Sequence, residues 1–425
     1  MQFIKKEKLA IHGGEKLIKD SFQKYNPIGI EELESAKRVL ESGVLSKYLA
    51  RWGPDFYGGP KVKEFEQNCQ DFFQVKHAIT VNSWTSGLVT AVGAIGIEPG
   101  DEVIVPTWTM CATATAILHW NGIPVFADIE DETFCICPES IEKNISKYTK
   151  AIISVDIGGH PANTKKINEI AKKYNLKVIS DTAQSPGAFD NGNYAGTLTD
   201  IGGYSLNYHK HIHTGEGGIL VTNDDSLAER MYLIRNHAEA AVGDMNIKNI
   251  SNMIGHNFRL GEIECAIGIE QLKKLNSLIK TRVYAAEKLK NALSKLKGLR
   301  PPIVKENYSH SYYMFFMTID ESKTEVSRDI IFEALIAEGL QGLSKTFANL
   351  HLLPLYQKKI AYGSKGFPWS SEFCKREISY KKGICPIAEE MNQKSFLGIE
   401  LCKFEFTSKD INKIVKAFHK VWKEV

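Results

Sequence analysis

The sequence predicts an α/β fold: a mostly parallel sheet with helices on both faces, followed by a smaller α+β domain. The chain has 425 residues, too many for one simple core, so we expect two domains. From about residue 60, short apolar runs alternate with helical patterns, which is typical of a parallel sheet. Near residue 262 this alternation gives way to one long amphipathic helical pattern, which we expect to lead into the second domain.

The elements of the first domain follow from these patterns in chain order. Active sites in such sheets lie at the carboxyl ends of the strands, so the residues after each strand are the candidates for function. The predicted strands are HAITVNS, DEVIVP, IPVFADI, TKAIISVDI, KVISD, GGYSLN and ILVTND. The predicted helices are KVKEFEQNCQDFF, TSGLVTAVGAIG, CATATAILHWNG and INEIAKKYN.

The chain is expected to comprise an N-terminal arm (1–30), a large domain (31–275) and a small C-terminal domain (276–425). In the small domain, SYYMFFMTID and IELCKFEF are predicted strands, and RDIIFEALIAEG and SKDINKIVKAFHKVWKEV are predicted helices. The segment 345–385 is rich in glycine, proline and aromatic residues with weak periodicity, which predicts a loop.

Charge and composition exclude several classes of protein. The net charge of +3, from 53 basic and 50 acidic residues, is too balanced for a dedicated nucleic-acid binder. No stretch approaches ~18 uninterrupted apolar residues, and charges interrupt every apolar run near the N-terminus, so we expect neither a membrane span nor a signal peptide. The eight scattered cysteines fit reduced side chains in a cytoplasmic protein.

Thr85 and Ser86 mark a candidate anion site. A predicted strand ends at Ser83, and the next helix begins near Thr85. The free amides of the first helical turn, together with two hydroxyls, would hold an anion. Ordinary helix capping by serine and threonine explains the same residues, so the motif alone leaves both readings open.

Asp181 ends the predicted strand KVISD, directly after apolar residues. A carboxylate in that position is costly to bury unless it meets a positive partner, which would be a metal, an arginine or a protonated ring nitrogen. Alternatively, Asp181 caps a helix, with Gln184 as its capping-box partner.

The stretch SLNYHKHIHTGEGG places Lys210 among His209, His211 and His213. If this piece is extended, the three histidines point to one face, but they lack the further ligands typical of a zinc site, so we expect no metal. A pH switch has no better support. A solvated surface lysine is the default reading of Lys210. Beside glycine-rich backbone, a buried aspartate and an anion site, however, its amine can form a Schiff base with a carbonyl cofactor.

These candidate sites make sense together as a binding site for pyridoxal phosphate. That cofactor needs an anchor for its phosphate, a carboxylate for its pyridinium nitrogen and a lysine for its aldehyde. Thr85 with Ser86, Asp181, and Lys210 supply them in that chain order. Asp181 would keep the ring nitrogen protonated, and Lys210 would move a proton as general base and acid.

Five motifs then carry a resemblance to a known family: GIEPGDEVIVPTWT, GIPVFADIEDET, VISDTAQSPGA, YSLNYHKHIHTGEGG and GHNFRLGEIECAIGIEQLKKL. In their order and content, from about residue 58 to the C-terminus, the chain resembles the sugar aminotransferases of the DegT/DnrJ/StrS family. These are pyridoxal-phosphate enzymes of fold type I. The resemblance implies a large domain with a mostly parallel, seven-stranded sheet flanked by helices, and a smaller C-terminal α+β domain.

The resemblance also implies roles for individual residues. Lys210 matches the family's Schiff-base lysine, and Asp181 matches its pyridinium partner. Gln184 matches the residue that contacts the ring oxygen of the cofactor. Glu216 matches the GEGG turn, whose role is taken as structural.

Further matches concern the phosphate of the cofactor. Thr85 and Ser86 match the phosphate-binding turn, and Ser205 matches a serine that also reaches the phosphate. Asn257 matches an asparagine that the neighbouring subunit donates. The last match implies a homodimer with shared active sites.

Some positions depart from the family pattern. Trp84 stands where the turn usually has glycine, and Met110 stands where an aromatic residue usually stacks on the cofactor ring. Sulfur packs acceptably against a ring, and Trp84 or Trp108 would be the substitutes for the missing aromatic. We expect His209 and Trp108 to contact the substrate.

The resemblance predicts an aminotransferase that uses pyridoxal 5′-phosphate, with pyridoxamine 5′-phosphate formed during turnover. Glutamate or glutamine would give the amino group to a keto-sugar, which in this family is mostly nucleotide-linked, for amino-sugar, polysaccharide or antibiotic biosynthesis. A free higher-carbon keto-sugar acid or a keto-cyclitol remains an alternative acceptor. A sugar dehydratase on the same fold is an alternative activity, although those enzymes have histidine in place of the lysine.

Overall fold

A computed structural model describes residues 8–425. Seven strands form the large sheet, in the spatial order β1-β7-β6-β5-β4-β2-β3, and only β7 runs against the others. The predicted α/β class and mostly parallel sheet are therefore confirmed. The strands are β1 (His77–Val81), β2 (Glu102–Pro106), β3 (Ile123–Ala127), β4 (Thr149–Val155), β5 (Lys177–Asp181), β6 (Ile201–Ser205) and β7 (Gly218–Thr222).

Helices cover both faces of this sheet, because its strands are apolar on both sides and must be shielded from water. Every residue of β2, β3, β6 and β7 is buried. The helices up to the start of the small domain are α1 (Ile30–Ser42), α2 (Pro60–Phe73), α3 (Trp84–Ala94), α4 (Ala112–His119), α5 (Pro138–Asn144), α6 (Thr164–Tyr174), α7 (Asp225–Arg235), α8 (Ala238–Ala241) and α9 (Glu262–Leu293).

The small domain contains a four-stranded antiparallel sheet in the order β8-β9-β11-β10. Its strands are β8 (Leu299–Arg300), β9 (Phe315–Ile319), β10 (Leu343–Ser344) and β11 (Phe396–Ile399). Its helices are α10 (Glu321–Thr324), α11 (Arg328–Ala337), α12 (Pro354–Lys358), α13 (Pro386–Glu390) and α14 (Ser408–Val421), with a π-helical turn at Met391–Ser395 after α13.

One predicted strand of the small domain is misplaced. The stretch IELCKFEF was expected to be a strand, but β11 ends at Ile399, the first residue of that stretch. The chain turns immediately afterwards, where the Glu400 amide donates to the Gly342 carbonyl and the Lys403 amide donates to Glu400. Beyond this turn, the alternating apolar residues Phe404 and Phe406 pack against Phe22 of the N-terminal arm and do not extend the sheet. Their packing explains why the sequence keeps a strand-like pattern there.

The connections between the domains are more extensive than the sequence indicates. Helix α9 is continuous over 32 residues, so the predicted boundary at 275 falls inside it. The segment 345–385 was predicted as a loop of the small domain, but it packs on the large sheet. There the Tyr380 hydroxyl donates to the Pro124 carbonyl of β3 (2.7 Å), and Arg376 pairs with Glu102 of β2 (2.7 Å). The free edge of the sheet at β3 is thereby covered.

None of the helices within residues 8–425 has the length and apolar character needed to span a membrane.

Candidate active site

A small cavity of about 160 Å³ lies at the carboxyl ends of β1, β5 and β6. Loops and helix starts that follow these strands contribute its walls, as the strand-end rule predicts. Most of the residues that the sequence singles out line it: Thr85, Met110, Asp181, Gln184, Ser205, His209, Lys210 and Glu216. Ser86, Trp108 and Asn257 do not line it.

Asp181 lies at the bottom of the cavity and is 4% exposed. Its Oδ1 accepts hydrogen bonds from the Trp84 indole (2.7 Å) and the Ala183 amide (3.3 Å), and its Oδ2 accepts one from the Thr113 hydroxyl (2.8 Å). Burial raises the pKa of Asp181, and the hydrogen bonds oppose that rise. No helix begins after Asp181, so the alternative of a helix-capping aspartate is wrong.

Lys210 follows β6 on a tight turn, and its side chain is 7% exposed. Its Nζ lies 4.4 Å from the centre of the Tyr313 ring, which covers it from the small domain. Burial lowers the pKa of Lys210 to about 8, although the nearby Asp181 carboxylate acts in the opposite direction. A much larger fraction of this amine is therefore neutral near pH 7 than of a surface lysine. The solvated-lysine reading is wrong.

The N-terminus of α3 faces the cavity through Thr85. Ser83 is the N-cap, and its hydroxyl accepts from the Ser86 amide (3.0 Å). The Ser86 hydroxyl turns away and donates to Asn82 (2.6 Å). Ser205, at the end of β6, lines the same cavity. Thr85, Ser205 and the helix terminus thus form a site suited to a phosphate.

Gln184 and Met110 lie on the wall of the cavity. The Gln184 side-chain oxygen accepts from the Gly158 amide (2.8 Å), which fixes the orientation of the side chain. Met110 is 56% exposed, and its sulfur accepts from the Ala112 amide (3.0 Å). Contact of Met110 with the cofactor ring stays a prediction.

The three histidines around Lys210 occupy different environments. His209 lines the cavity and is exposed. His211 is fully buried, and its Nε2 donates to the Ser311 carbonyl (2.9 Å), whereas the ring of His213 accepts from the Gly215 amide (3.3 Å). Among residues 8–425 there is no group of three His, Cys, Asp or Glu side chains placed to hold a metal ion. The histidines therefore do not act as one cluster.

Trp108 and Asn257 lie outside the cavity. Trp108 is fully buried and stacks on Phe347 at 5.3 Å, so its position gives no support to a contact with substrate. Asn257 is exposed, and its side-chain oxygen accepts from Arg259 (2.7 Å). Its contribution to a neighbouring subunit stays a prediction.

Three residues of the site were not identified from the sequence. Thr113 holds Asp181, Tyr313 covers Lys210, and Asn207 lines the cavity while its side-chain amide donates to Glu216 (2.7 Å). The side-chain oxygen of Asn207 is buried without a hydrogen-bond partner in the described chain. Of these three residues, only Asn207 could have been found from the sequence, because it lies within the lysine–histidine motif. Thr113 and Tyr313 come from distant segments of the chain.

The arrangement of these groups fits pyridoxal phosphate. A buried amine, a buried carboxylate and a hydroxyl-lined helix terminus surround one small cavity, and they match the aldehyde, the ring nitrogen and the phosphate. The unpartnered Asn207 oxygen leaves an acceptor available to a bound group.

Comparison with known proteins agrees with this geometry. The chain belongs to the DegT/DnrJ/EryC1/StrS aminotransferase family, whose model matches residues 47–395. It is a pyridoxal-phosphate-dependent aminotransferase of the sugar-processing kind, as the sequence predicts.

Two relatives and one solved structure illustrate the match. The chain is 32% identical over 358 residues to the spore coat polysaccharide biosynthesis protein SpsC of Bacillus subtilis, covering 83% of this chain and 89% of that protein. It is 31% identical to the GDP-perosamine synthase of Vibrio cholerae, covering 77% of this chain and 87% of that protein. An aminotransferase from Psychrobacter cryohalolentis superposes with a TM-score of 0.80 at 26% identity, over 95% of this chain and all of that one.

Proposed function

We propose that this enzyme transfers an amino group from glutamate or glutamine to a nucleotide-linked keto-sugar. The observation that carries the proposal is a second cavity of about 870 Å³ beside Lys210. His209 lines both cavities, and Tyr313 lines the larger one while covering the Lys210 amine. A volume of this size suits an extended small molecule, one end of which reaches the amine.

The lining of the larger cavity supports a sugar that carries a charged, aromatic group. Tyr25 and Tyr208 offer aromatic surface, and Lys24 brings a positive charge, whereas Lys403 is paired with Glu400 of the same lining at 2.7 Å. Lysine pairs readily with phosphates, and aromatic rings pack against nucleobases and sugars.

The names of the relatives point in the same direction. One is a synthase of a GDP-linked amino sugar, and another takes part in the biosynthesis of a spore coat polysaccharide. They support the proposal that the product of this enzyme is an amino sugar for a surface polysaccharide.

In the proposed reaction, Lys210 carries protons between substrate and cofactor. When bound, the cofactor supplies an aldehyde that takes up the amino group and a ring that withdraws electrons from the substrate carbon. Because burial lowers the pKa of Lys210 to about 8, its Nζ can accept a proton near neutral pH and return it later. The Tyr313 ring over the amine excludes water from one side.

The other residues bind and orient. Asp181 pairs with the ring nitrogen and keeps it protonated, because a carboxylate buried to 4% exposure needs a positive partner. Thr85, Ser205 and the amides at the start of α3 hold the phosphate.

We further propose that two copies of the chain form the active unit and share their active sites. Apolar side chains are exposed along α1, among them Ile30 (62%), Leu33 (60%) and Leu40 (57%). Met110 beside the cavity and Asn257 are exposed as well, as expected of residues that a second copy would cover.

The test of the reaction compares wild type with Lys210→Ala. With glutamate or glutamine as donor, wild type should change the visible absorbance of the bound cofactor and then aminate a nucleotide-linked keto-sugar. Removal of a general acid–base group should slow both half-reactions by roughly 10²–10⁴-fold. Amination of free keto-sugars alone, or substantial turnover by the variant, would contradict the proposal.

The test of the shared site is a mixed dimer of Lys210→Ala with Asn257→Ala subunits. In the mixed dimer, one site combines the intact Lys210 of one subunit with the intact Asn257 of the other. At limiting pyridoxal phosphate, mixing should restore activity that neither variant shows alone. If unfolding and reassociation of the mixture restores none, the two subunits do not share a site.

A further inference from the structure

Trp84 departs from the family pattern, and the structure shows a specific place for its indole. The side chain is 5% exposed and lies between α3 and β6. A Cβ atom added at Gly203 would lie 2.2 Å from the indole ring, and one added at Gly87 would lie 2.6 Å from it. Two glycines, one on the same helix and one on β6, therefore make the space that the ring fills.

The indole also makes a directed contact in this space. Its Nε1 donates to Asp181 Oδ1 at 2.7 Å, while Thr113 donates to Oδ2 at 2.8 Å. Two side-chain donors, one on each oxygen, fix the plane of the carboxylate. A carboxylate accepts up to about four hydrogen bonds, so the group keeps capacity for a further positive partner.

The hydrogen bond bears on the charge of Asp181 as well as on its orientation. Burial raises the pKa of this carboxyl, and the bonds from Thr113 and Trp84 lower it. The two hydrogen bonds therefore favour the ionised form that a protonated ring nitrogen requires, whereas burial opposes it.

We propose that Trp84 is a positioning residue of this aminotransferase: its indole holds the Asp181 carboxylate in place for the cofactor ring nitrogen. Glycine, the residue usual at this position in the family, has no side chain and could not make this contact. The role concerns the cofactor and does not depend on which acceptor the enzyme uses.

The competing explanation is that Trp84 only fills space in the core. Trp120 provides a matched control, because it is another buried tryptophan (7% exposed) whose Nε1 donates at 2.7 Å, but to the Val89 carbonyl. It also packs on a glycine of α3, Gly93, and it does not line the cavity. Trp84→Phe and Trp120→Phe each keep an aromatic ring and remove one indole donor.

The experiment titrates the apoprotein of each variant with pyridoxal phosphate at several pH values. Loss of a hydrogen bond to a buried charge should weaken cofactor affinity about tenfold in Trp84→Phe, and more at lower pH because the carboxyl is protonated more easily. Trp120→Phe should lose stability without a change in cofactor affinity. Equal affinity in Trp84→Phe and wild type, or equal losses in both variants, would overturn the proposal.

A second measurement covers the case in which Trp84→Phe does not fold. The six tryptophans of the wild-type apoprotein can be labelled with ¹⁵N at the indole and compared with Asp181→Asn. One indole resonance should shift strongly on removal of the Asp181 charge, and the same resonance should shift when wild type binds pyridoxal phosphate. If Asp181→Asn leaves all indole resonances unchanged, Trp84 does not act through Asp181.

Discussion

The active site has two regions: one is buried within a single chain, and the other is exposed to solvent. Its floor consists of Trp84, Thr113, Asp181 and Gly203, all buried and held by hydrogen bonds or close packing. Its mouth consists of Tyr208 and His209, both exposed. Tyr208, for example, is 68% exposed, although it lies only two residues from the buried Lys210.

This difference indicates which properties belong to the single chain. The floor is built from the ends of strands in one sheet and from the first turns of the helices that follow them. The residues of one chain therefore suffice to set the chemistry of the cofactor. The mouth offers aromatic side chains to solvent, which a substrate or a second subunit would cover. Changes in the floor should therefore affect cofactor binding and stability, whereas changes in the mouth should affect the acceptor.

The largest effect is expected from Asp181→Asn in the floor. Removing one partner of a buried ion pair costs about 3–5 kcal/mol, or roughly 10²–10⁴-fold in affinity for pyridoxal phosphate. The measurement is a cofactor titration of the apoprotein. Asp156→Asn is the control, because Asp156 is equally buried and hydrogen-bonded to Ala162 and Thr182 but does not line the cavity. Equal cofactor affinity in wild type and Asp181→Asn would break the distinction between floor and mouth.

A smaller effect concerns the stability of the apoprotein through Lys210. Its pKa of about 8 in the folded protein lies below the ordinary value of 10.5, so the unfolded chain binds more protons between these values. The Lys210 contribution to the free energy of unfolding should therefore rise with pH, by about 2 kcal/mol between pH 7 and pH 9.5. Denaturant titrations of wild type and Lys210→Met give this contribution by difference. A constant difference across this range would show that Lys210 is not desolvated.

The smallest effect is expected from His209→Ala in the mouth. Loss of one hydrogen bond to the acceptor should raise its KM about three- to tenfold, with the absorbance of the bound cofactor unchanged. Steady-state kinetics with the acceptor varied measures this change. His213→Ala is the control, since His213 belongs to the same stretch but lines neither cavity. A shift in cofactor affinity instead of acceptor KM would place His209 in the floor.

Much of the fold could be predicted because it is encoded by local patterns. Apolar runs of strand length and the helical spacing between them gave all seven strands of the large sheet. The misplaced strand IELCKFEF shows the limit of such patterns. Apolar residues that pack against the N-terminal arm have the same spacing as residues of a strand.

The site could be predicted to a similar extent. Asp181 and Ser205 end strands and Lys210 follows one, and strand ends meet at one edge of a parallel sheet, so their proximity followed from sequence position. Trp108 and Trp84 could not be distinguished in this way. Both are tryptophans near strand ends, yet one packs against Phe347 and the other against Gly203.

By itself, the sequence determined the class of fold, because periodicity is a property of neighbouring residues, and its motifs indicated the cofactor through the family that they resemble. The roles of Lys210, Asp181 and the other site residues stay predictions. Only the tertiary structure decided that Trp84 bonds to Asp181, that Tyr313 covers Lys210, and that the segment 345–385 returns to the large sheet. These contacts join residues about a hundred or more positions apart in the chain. They depend on the packing of whole elements, which local patterns do not encode.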